Sequence, residues 1–260
     1  MEIEGLRLFE FTAPSGYKYT IREENGADEE VISNQAAVKT GDNINNFIQG
    51  IVVSTDFCES GKLSREDVLD LPVLDRYAIL LNSRIFSLGN ILEFTYSWPN
   101  ELNPTYYEQD LNDLLFEDYN SISKVEEEKK PFAIPKYSDS ELLRSIRFKN
   151  YEVVLSTGKK VKFDFLTGRS EKEAFNLPDS AQTRNADLLL RNLSLFVNNK
   201  WDRVQEFSLF SRKEMAELRK VISTLDPIWN GMTDITNPKT NEVAYVSVFS
   251  QPRFFYPTEA

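Results

Sequence analysis

Three carboxylates that lie close together along the chain, Asp67, Asp70 and Asp75, could do chemistry by residue type and spacing. A pair of them could act as general acid and base, or their oxygen atoms could hold a divalent cation. Their spacing fits no known ligand loop. The surrounding sequence favours structural roles. Asp67 follows Ser64 by three residues, as in a helix capping box, Asp70 ends that helix, and Asp75 lies in the first turn of the next one. We therefore expect these carboxylates to support helices.

Histidine is absent from the 260 residues, and Cys58 is the single cysteine. Histidine is the commonest general base and the commonest metal ligand, and it activates Ser and Cys nucleophiles. Its absence excludes Ser/His/Asp catalysis, Cys/His catalysis and zinc hydrolase chemistry. No disulfide can form within the chain, and the ten glycines are too scattered for a phosphate-binding loop. We expect no enzyme activity, metal site or cofactor, and carboxylate-based glycan hydrolysis is the remaining enzymatic alternative.

Acidic residues outnumber basic ones by 41 to 30, which gives a formal charge of −11. A surface of that sign repels the phosphate backbone of nucleic acids. No apolar run approaches the ~20 residues of a membrane helix, and the first residues lack the basic start and apolar stretch of a signal peptide. We therefore expect no nucleic-acid or membrane partner, and a location in the cytosol or in an assembly built there.

The elements that must position these residues are strands and helices in alternation. Apolar residues at every second position flank glycine-containing turns near residues 14–16 and 156–158, which predicts two β-hairpins. Helical spacing predicts helices over residues 43–54, 73–88, 185–197 and 211–225, with Gly89 as the C-cap of the second. Strands are expected over residues 91–98 and 243–249. The pattern is typical of an α+β fold.

The two halves of the sequence resemble each other. Gly16 and Gly158 lie 142 positions apart (158 − 16), and the pairs Gly26 and Gly168, Glu29 and Glu171, and Asn43 and Asn185 have the same separation. We infer a degenerate duplication that gives two similar units, each a β-hairpin followed by helices and a returning strand. The predicted units are residues 1–100 and 144–260, joined by a connecting segment at 101–143. The alternative is that small turn residues align by chance.

Two groups of aromatic residues are candidate interface residues. Tyr106 and Tyr107 lie in the connecting segment, and Phe254, Phe255 and Tyr256 lie near the carboxy terminus between prolines. Such residues can insert into pockets of a partner protein. Alternatively, they fold back onto their own sheets. The sequence favours folding back for the tyrosine pair and does not decide for the carboxy-terminal group. We also expect contacts through hairpin edges, where backbone donors and acceptors are unpaired.

Residues 71–75, Arg84, residues 87–89 and the strand at 93–96 resemble the core signature of the baseplate hub and hub assembly proteins of T-even-like contractile-tailed phages. The hairpin at residues 17–22 resembles that family as well. The similarity covers residues 6–100, and 147–257 with less specificity. Many relatives follow the strand with a Cys-Pro-x-Cys knuckle. The corresponding residues 97–101 and 236–242 contain no cysteine, so a zinc site formed by such knuckles would have been lost here.

The resemblance implies a non-enzymatic structural subunit of a contractile tail baseplate or hub. Such a subunit would be assembled in the host cytoplasm, held in the virion by other tail proteins, and part of a multi-protein assembly. The alternative within the same family is a tail assembly chaperone that is absent from the mature particle. The sequence does not distinguish the two.

Overall fold

The computed structural model describes residues 5, 7–99, 101–114, 149–178, 185–226 and 231–256. The fold is α+β, as predicted, with helices packed against several small antiparallel sheets. The charged run at residues 125–130, which the sequence predicts to be solvated surface, lies outside the described residues.

The first predicted hairpin is confirmed. Strands β1 (Leu8–Thr12) and β2 (Lys18–Arg22) are antiparallel, and β3 (Val52–Thr55) pairs with the other side of β2. Gly16 closes the turn at φ 85°, a backbone conformation that glycine adopts without steric cost. Tyr19 and Ile21 alternate into the core at 0% exposure, as their period of two requires.

Five helices follow the first hairpin, and the longest of them, the last, contacts β2. They are α1 (Gly26–Ser33), α2 (Gln35–Thr40), α3 (Asn43–Ile51), α4 (Arg65–Asp70) and α5 (Val73–Leu88). The predicted helix at 73–88 and its Gly89 C-cap are confirmed. The predicted helix at 43–54 was too long, because the β-branched pair Val52 and Val53 continues as strand β3.

The first unit ends in a second hairpin and not in a single returning strand. Strand β4 (Ile91–Tyr96) pairs with β5 (Thr105–Asp110), and a 3-10 helix follows at Leu111–Leu114. Residues 105–114 of the predicted connecting segment are therefore built into the first unit. The rest of that segment, from residue 115, lies outside the described residues.

The second unit begins with strands β6 (Tyr151–Val154) and β7 (Lys160–Phe163), followed by helices α6 (Gly168–Phe175) and α7 (Ala186–Leu190). Strands β8 (Ser194–Val197) and β9 (Lys200–Arg203) complete a sheet in the order β6-β7-β8-β9. The predicted helix at 185–197 was wrong after Leu190. Asn192 adopts a left-handed φ of 53°, which ends the helix and lets the apolar run pair with β7.

The chain then forms α8 (Arg212–Leu225), another two-stranded hairpin and a short final helix. The hairpin consists of β10 (Met232–Thr236) and β11 (Val243–Ser247), and the final helix is α9 (Pro252–Phe255). Ser211 caps α8, with Glu214 completing the capping box. A buried ion pair joins Arg191 to Asp226 just beyond α8. The same oxygen, Asp226 Oδ2, also accepts the Leu166 N–H at 2.9 Å.

The two units have the same hairpin and N-cap geometry at positions 142 residues apart, the separation found in the sequence. Thr12 pairs with Lys18 and Val154 pairs with Lys160, so the two hairpins have the same register. Gly158 closes its turn at φ 86°, one degree from Gly16. The N-capping interactions match too, since Asn25 N–H donates to Asp28 and Thr167 N–H donates to Ser170. The common descent of the two units stays a prediction.

The two units meet along backbone as well as side chains. Pro72 and Thr167 form an isolated antiparallel bridge, in which Val73 N–H donates to Leu166 O at 2.9 Å and Gly168 N–H donates to Leu71 O at 3.1 Å. Both hydrophobic clusters draw on both units: the larger contains Tyr19 and Leu74 together with Phe163 and Leu218, and the smaller joins β4 to β11. The units therefore share their cores.

Candidate interaction surfaces

The three carboxylates of the sequence analysis have separate partners. Asp67 accepts the Ser64 N–H at 2.9 Å and completes the capping box of α4, as predicted. Asp70 accepts from Arg169 of the second unit at 3.2 Å. Asp75 faces the hairpin turn between β1 and β2. Within the described residues, no group of three or more Cys, Asp and Glu side chains is placed to hold a metal ion.

Asp75 is enclosed by hydrogen-bond donors. Its carboxylate accepts the Ser15 N–H at 3.1 Å, the Ser15 hydroxyl at 2.5 Å and the Tyr19 hydroxyl at 2.9 Å. Burial raises the pKa of Asp75 to about 6, although these donors lower it. Burial beside the Asp75 carboxylate also raises the pKa of Tyr19. Because Asp75 is 0% exposed, its carboxyl fixes the turn to the start of α5 and has no open face for a substrate.

The second unit fixes its hairpin turn in a similar way. Ser156 donates its N–H to Glu217 at 2.6 Å, and Thr157 donates its hydroxyl to Glu214 at 2.6 Å, both on α8. The Thr157 hydroxyl, helped by Lys159, holds the pKa of Glu214 at about 2. In both units, a carboxylate from a long helix therefore binds the turn of the hairpin.

Tyr106 and Tyr107 lie on opposite faces of β5. Tyr106 is 51% exposed and points outward. Tyr107 packs on Phe94 with ring centroids 5.8 Å apart, donates its hydroxyl to Thr236 O at 3.0 Å and accepts the Trp98 Nε1 proton. Of the pair, Tyr106 alone presents its ring to solvent.

The carboxy-terminal aromatic residues fold back onto the protein. Phe254 is 1% exposed and lies in the smaller hydrophobic cluster, with its ring 4.8 Å from that of Phe249. Phe255 and Tyr256 are half-buried against the larger cluster. Phe254 therefore belongs to the core in this fold and cannot insert into a partner, and the other two expose part of their rings.

The two cysteine-free knuckle positions lie at the turns of the β4–β5 and β10–β11 hairpins, and these turns touch. Glu101 accepts a hydrogen bond from Asn237 Nδ2 at 2.9 Å and from Lys239 Nζ at 2.9 Å. These two donors hold the pKa of Glu101 below its usual range. A hydrogen-bonded ion pair thus joins the two turns.

The outer face of the four-stranded sheet carries aromatic and basic residues that the sequence analysis missed. Phe196 and Trp201 are cross-strand neighbours with ring centroids 5.1 Å apart. Lys160 Nζ lies 5.6 Å from the Phe196 centroid, and Lys162 Nζ lies 5.1 Å from the Trp201 centroid. Each such contact between an ammonium group and an aromatic ring is worth about 0.5–1 kcal/mol of interaction free energy at an exposed site.

A second exposed cluster lies at the free edge of the three-stranded sheet. Phe9 on β1 stacks on Phe86 at 5.5 Å, and the Arg7 guanidinium lies 5.0 Å from the Phe86 centroid. Leu8 on the other face of β1 is 61% exposed. Among the described residues, β1 is paired on one side only, and its outer edge has no strand partner.

An apolar groove of about 490 Å³ lies where the two units meet. Asn45 lies in its wall at 3% exposure, and its Oδ1 has no hydrogen-bond partner among the described residues. The remaining wall is mostly aromatic and aliphatic, and includes Ile44, Tyr77, Leu80, Phe175, Phe249 and Phe255.

Comparison with protein families, curated proteins and solved structures gives no match. Within the part of the chain that the structure describes, no helix has the length and apolar character needed to cross a bilayer. The proposals below therefore rest on the surfaces of this fold and on the sequence resemblance.

Proposed function

We propose that this chain is a non-enzymatic structural subunit that acts through protein–protein contacts, in the baseplate or hub of a contractile phage tail. The contact role is supported by one observation: among the described residues, each of the four sheets has an edge strand with a large, exposed apolar side chain. These residues are Leu8 on β1 (61% exposed), Tyr106 on β5 (51%), Val154 on β6 (50%) and Tyr245 on β11 (72%).

Such edges are costly for an isolated protein. An edge strand presents unpaired N–H and C=O groups that pair readily with another chain, and natural proteins cover or charge these edges. Apolar side chains beside an open edge add area that a neighbour can bury. Four such edges on one chain suit a subunit that is surrounded by other proteins.

The assignment to a phage baseplate or hub rests on the sequence resemblance. Within its signature, Leu71 and Leu74 are core residues at no more than 1% exposure, and Pro72 forms the bridge to the second unit. The resemblance therefore concerns residues that determine the fold, and the partners would be other tail proteins of the virion. A glycan hydrolase has less support: of the described carboxyls with a raised pKa, Asp75 is enclosed, and Glu24 is held by the Ser83 hydroxyl at 2.6 Å.

Quantitative mass spectrometry of purified phage particles tests this proposal. A structural subunit is expected at a fixed ratio to the other tail proteins, and cross-linking within the particle should join Leu8, Tyr106 or Tyr245 regions to those neighbours. Presence in tail-assembly intermediates but not in finished particles would instead establish an assembly chaperone. Absence from both would overturn the phage assignment.

A further inference from the structure

The outer face of the four-stranded sheet has an ordered arrangement of cations. Val161 and Phe163 of β7 point into the core at 0% exposure, so Lys160 and Lys162 point to the opposite face. On that face, Lys162 is paired across strands with Ser194, whose small side chain lets the lysine extend toward Trp201. The sheet geometry thus places both lysine ammonium groups on the outer face, near Phe196 and Trp201.

The two aromatic rings hold the lysine side chains in position. Phe196 and Trp201 are half-exposed and contact one another, and one ammonium group lies within 5.6 Å of each ring centroid. A lysine on an open strand otherwise samples many rotamers, and ordering it on binding costs free energy. Contact with a ring restricts these rotamers before any partner arrives.

The charge of this face differs from that of the whole chain. The protein carries −11 overall, whereas on this face, by strand alternation, three cations (Lys160, Lys162 and Arg203) lie with two carboxylates, Glu152 and, just beyond β7, Asp164. Glu152 is the cross-strand neighbour of Lys162. A locally basic face on an acidic protein attracts anionic groups that the remaining surface repels.

The first unit does not repeat this face. At the separation of 142 residues, Lys160 corresponds to Lys18, but Lys162 corresponds to Thr20. Within the described part of the chain, the first sheet ends at β3 and has no fourth strand, so no counterpart of Trp201 is found there. The basic and aromatic face is therefore a property of the second unit alone.

We propose that this face, formed by Lys160, Lys162, Phe196, Trp201 and Arg203, docks an acidic extended segment of a partner protein. The proposal rests on the proposed function and names the chemistry of one partner. Two lysines separated by one residue on a strand lie about 6.6 Å apart along it. Carboxylates at alternate positions of an extended segment have the same spacing and can meet both ammonium groups.

Single-stranded nucleic acid is the competing occupant, because its binding sites combine positive charge with aromatic rings on which bases stack. Here the lysine ammonium groups already lie near both rings, which limits the ring area open to a base. The overall charge of −11 opposes a polyphosphate chain further. These observations favour carboxylates.

Fluorescence anisotropy with labelled probes tests the proposal on the full chain. The probes are a peptide of alternating Glu and Thr, a matched peptide of alternating Gln and Thr, and oligothymidine. The Glu peptide is expected to bind, with affinity that falls as salt is raised, and to change the fluorescence of Trp201. The Gln peptide should not bind. The fluorescence change should disappear in Trp201→Phe.

Charge-reversal variants distinguish binding at this face from non-specific attraction by the charge of the whole protein. The double variant Lys160→Glu and Lys162→Glu should weaken binding by about tenfold or more, because repulsion replaces two attractive contacts. The control Lys39→Glu and Lys62→Glu changes the net charge equally at exposed lysines elsewhere and should leave binding unchanged. Circular dichroism verifies that both variants fold.

Several outcomes would overturn the proposal. They are no binding of the Glu peptide, equal weakening in both double variants, tighter binding of oligothymidine, or self-association of the chain that Lys160→Glu and Lys162→Glu abolish. The last outcome would make a second copy the occupant. Each outcome leaves the particle measurement of the proposed function untouched, so failure of one proposal is distinguishable from failure of the other.

Discussion

The hydroxyl of Tyr19 donates to the carboxylate of Asp75 at 2.9 Å, in a site that excludes solvent from both side chains. With Ser15, this contact anchors the first hairpin to α5. It also places a titratable group inside the core, where its protonation state affects the stability of the fold.

Stability is expected to fall as the pH rises from about 4 to about 7 because of Asp75. Its pKa in the folded protein, about 6, is above the ordinary value of 3.8. The folded state therefore holds a proton that the unfolded chain releases, and this stabilisation is complete below the ordinary pKa and lost as the pH passes 6. The expected loss is on the order of 3 kcal/mol, at about 1.4 kcal/mol per pKa unit.

Urea unfolding over this pH range measures the effect, and Asp75→Asn should flatten the profile. Asp42 and Glu214 have lowered pKa values of about 2, so their contributions are present above pH 4 and are lost only in stronger acid. A wild-type profile that rises toward neutral pH would contradict the assignment.

Gly168→Ala should destabilise the protein, whereas the equivalent change Gly26→Ala should not. A Cβ at Gly168 would lie 2.6 Å from Arg76 Nη1, and Arg76 is held by Glu171 at 2.7 Å. We expect a loss of about 1–3 kcal/mol in the free energy of unfolding. At Gly26 nothing lies within 4 Å, and Ala should be neutral or stabilise by up to about 0.5 kcal/mol. Equal effects in thermal unfolding would show that the units do not meet closely at Gly168.

Asp226→Ala should be strongly destabilising. It leaves the fully buried Arg191 without its carboxylate partner and removes the acceptor of the Leu166 N–H. Loss of one partner of a buried ion pair costs about 3–5 kcal/mol. Asp202→Ala, which removes the exposed partner of Lys200, is the matched control at about 0–1 kcal/mol. A small effect of Asp226→Ala in chemical denaturation would mean that water reaches Arg191.

Phe254→Ala should cost about 3–5 kcal/mol, because the ring fills the smaller hydrophobic cluster. Removal of residues 252–260 should therefore destabilise the whole protein and not only its assembly. The exposed Tyr245→Ala should lie within about 0.5 kcal/mol of wild type. An unchanged melting temperature for the Phe254 variant would show that this ring is not part of the core, and the carboxy-terminal aromatic residues would again be candidate interface residues.

The long helices and their caps could be predicted from sequence because their signals are local. The helix Val73–Leu88 has an apolar stripe at helical spacing, and Ser64 and Ser211 each precede an acid by three residues. These signals need no knowledge of the rest of the chain. The hairpin turns were predictable for the same reason, since glycine meets the need for a positive φ at Gly16 and Gly158.

The strands that follow helices were missed. Short apolar runs such as Ser194–Val197 cannot be distinguished from a continuing helix by periodicity. The sequence does contain one indication of β8 and β9, the pair Asn198-Asn199, because asparagine is favoured in two-residue hairpin turns. Both residues adopt the positive φ that such a turn requires. Because β8 and β9 were not predicted, the exposed sheet face that contains Phe196 and Trp201 was not predicted either. The burial of Phe254 depends on β4, which lies far away in sequence.

The bridge between Pro72 and Thr167 has a consequence for synthesis on the ribosome. Residues 71–75 emerge from the exit tunnel well before Thr167, with which Pro72 pairs. The interval between synthesis of β4 and synthesis of its partners, β11 and Phe254, is longer still. In a nascent chain, Leu92 and Phe94 therefore lack the β11 and Phe254 side of their hydrophobic cluster until translation is almost finished. Folding of this chain is tied to completion of the polypeptide, and stalled or truncated products are exposed to aggregation and to cellular quality control.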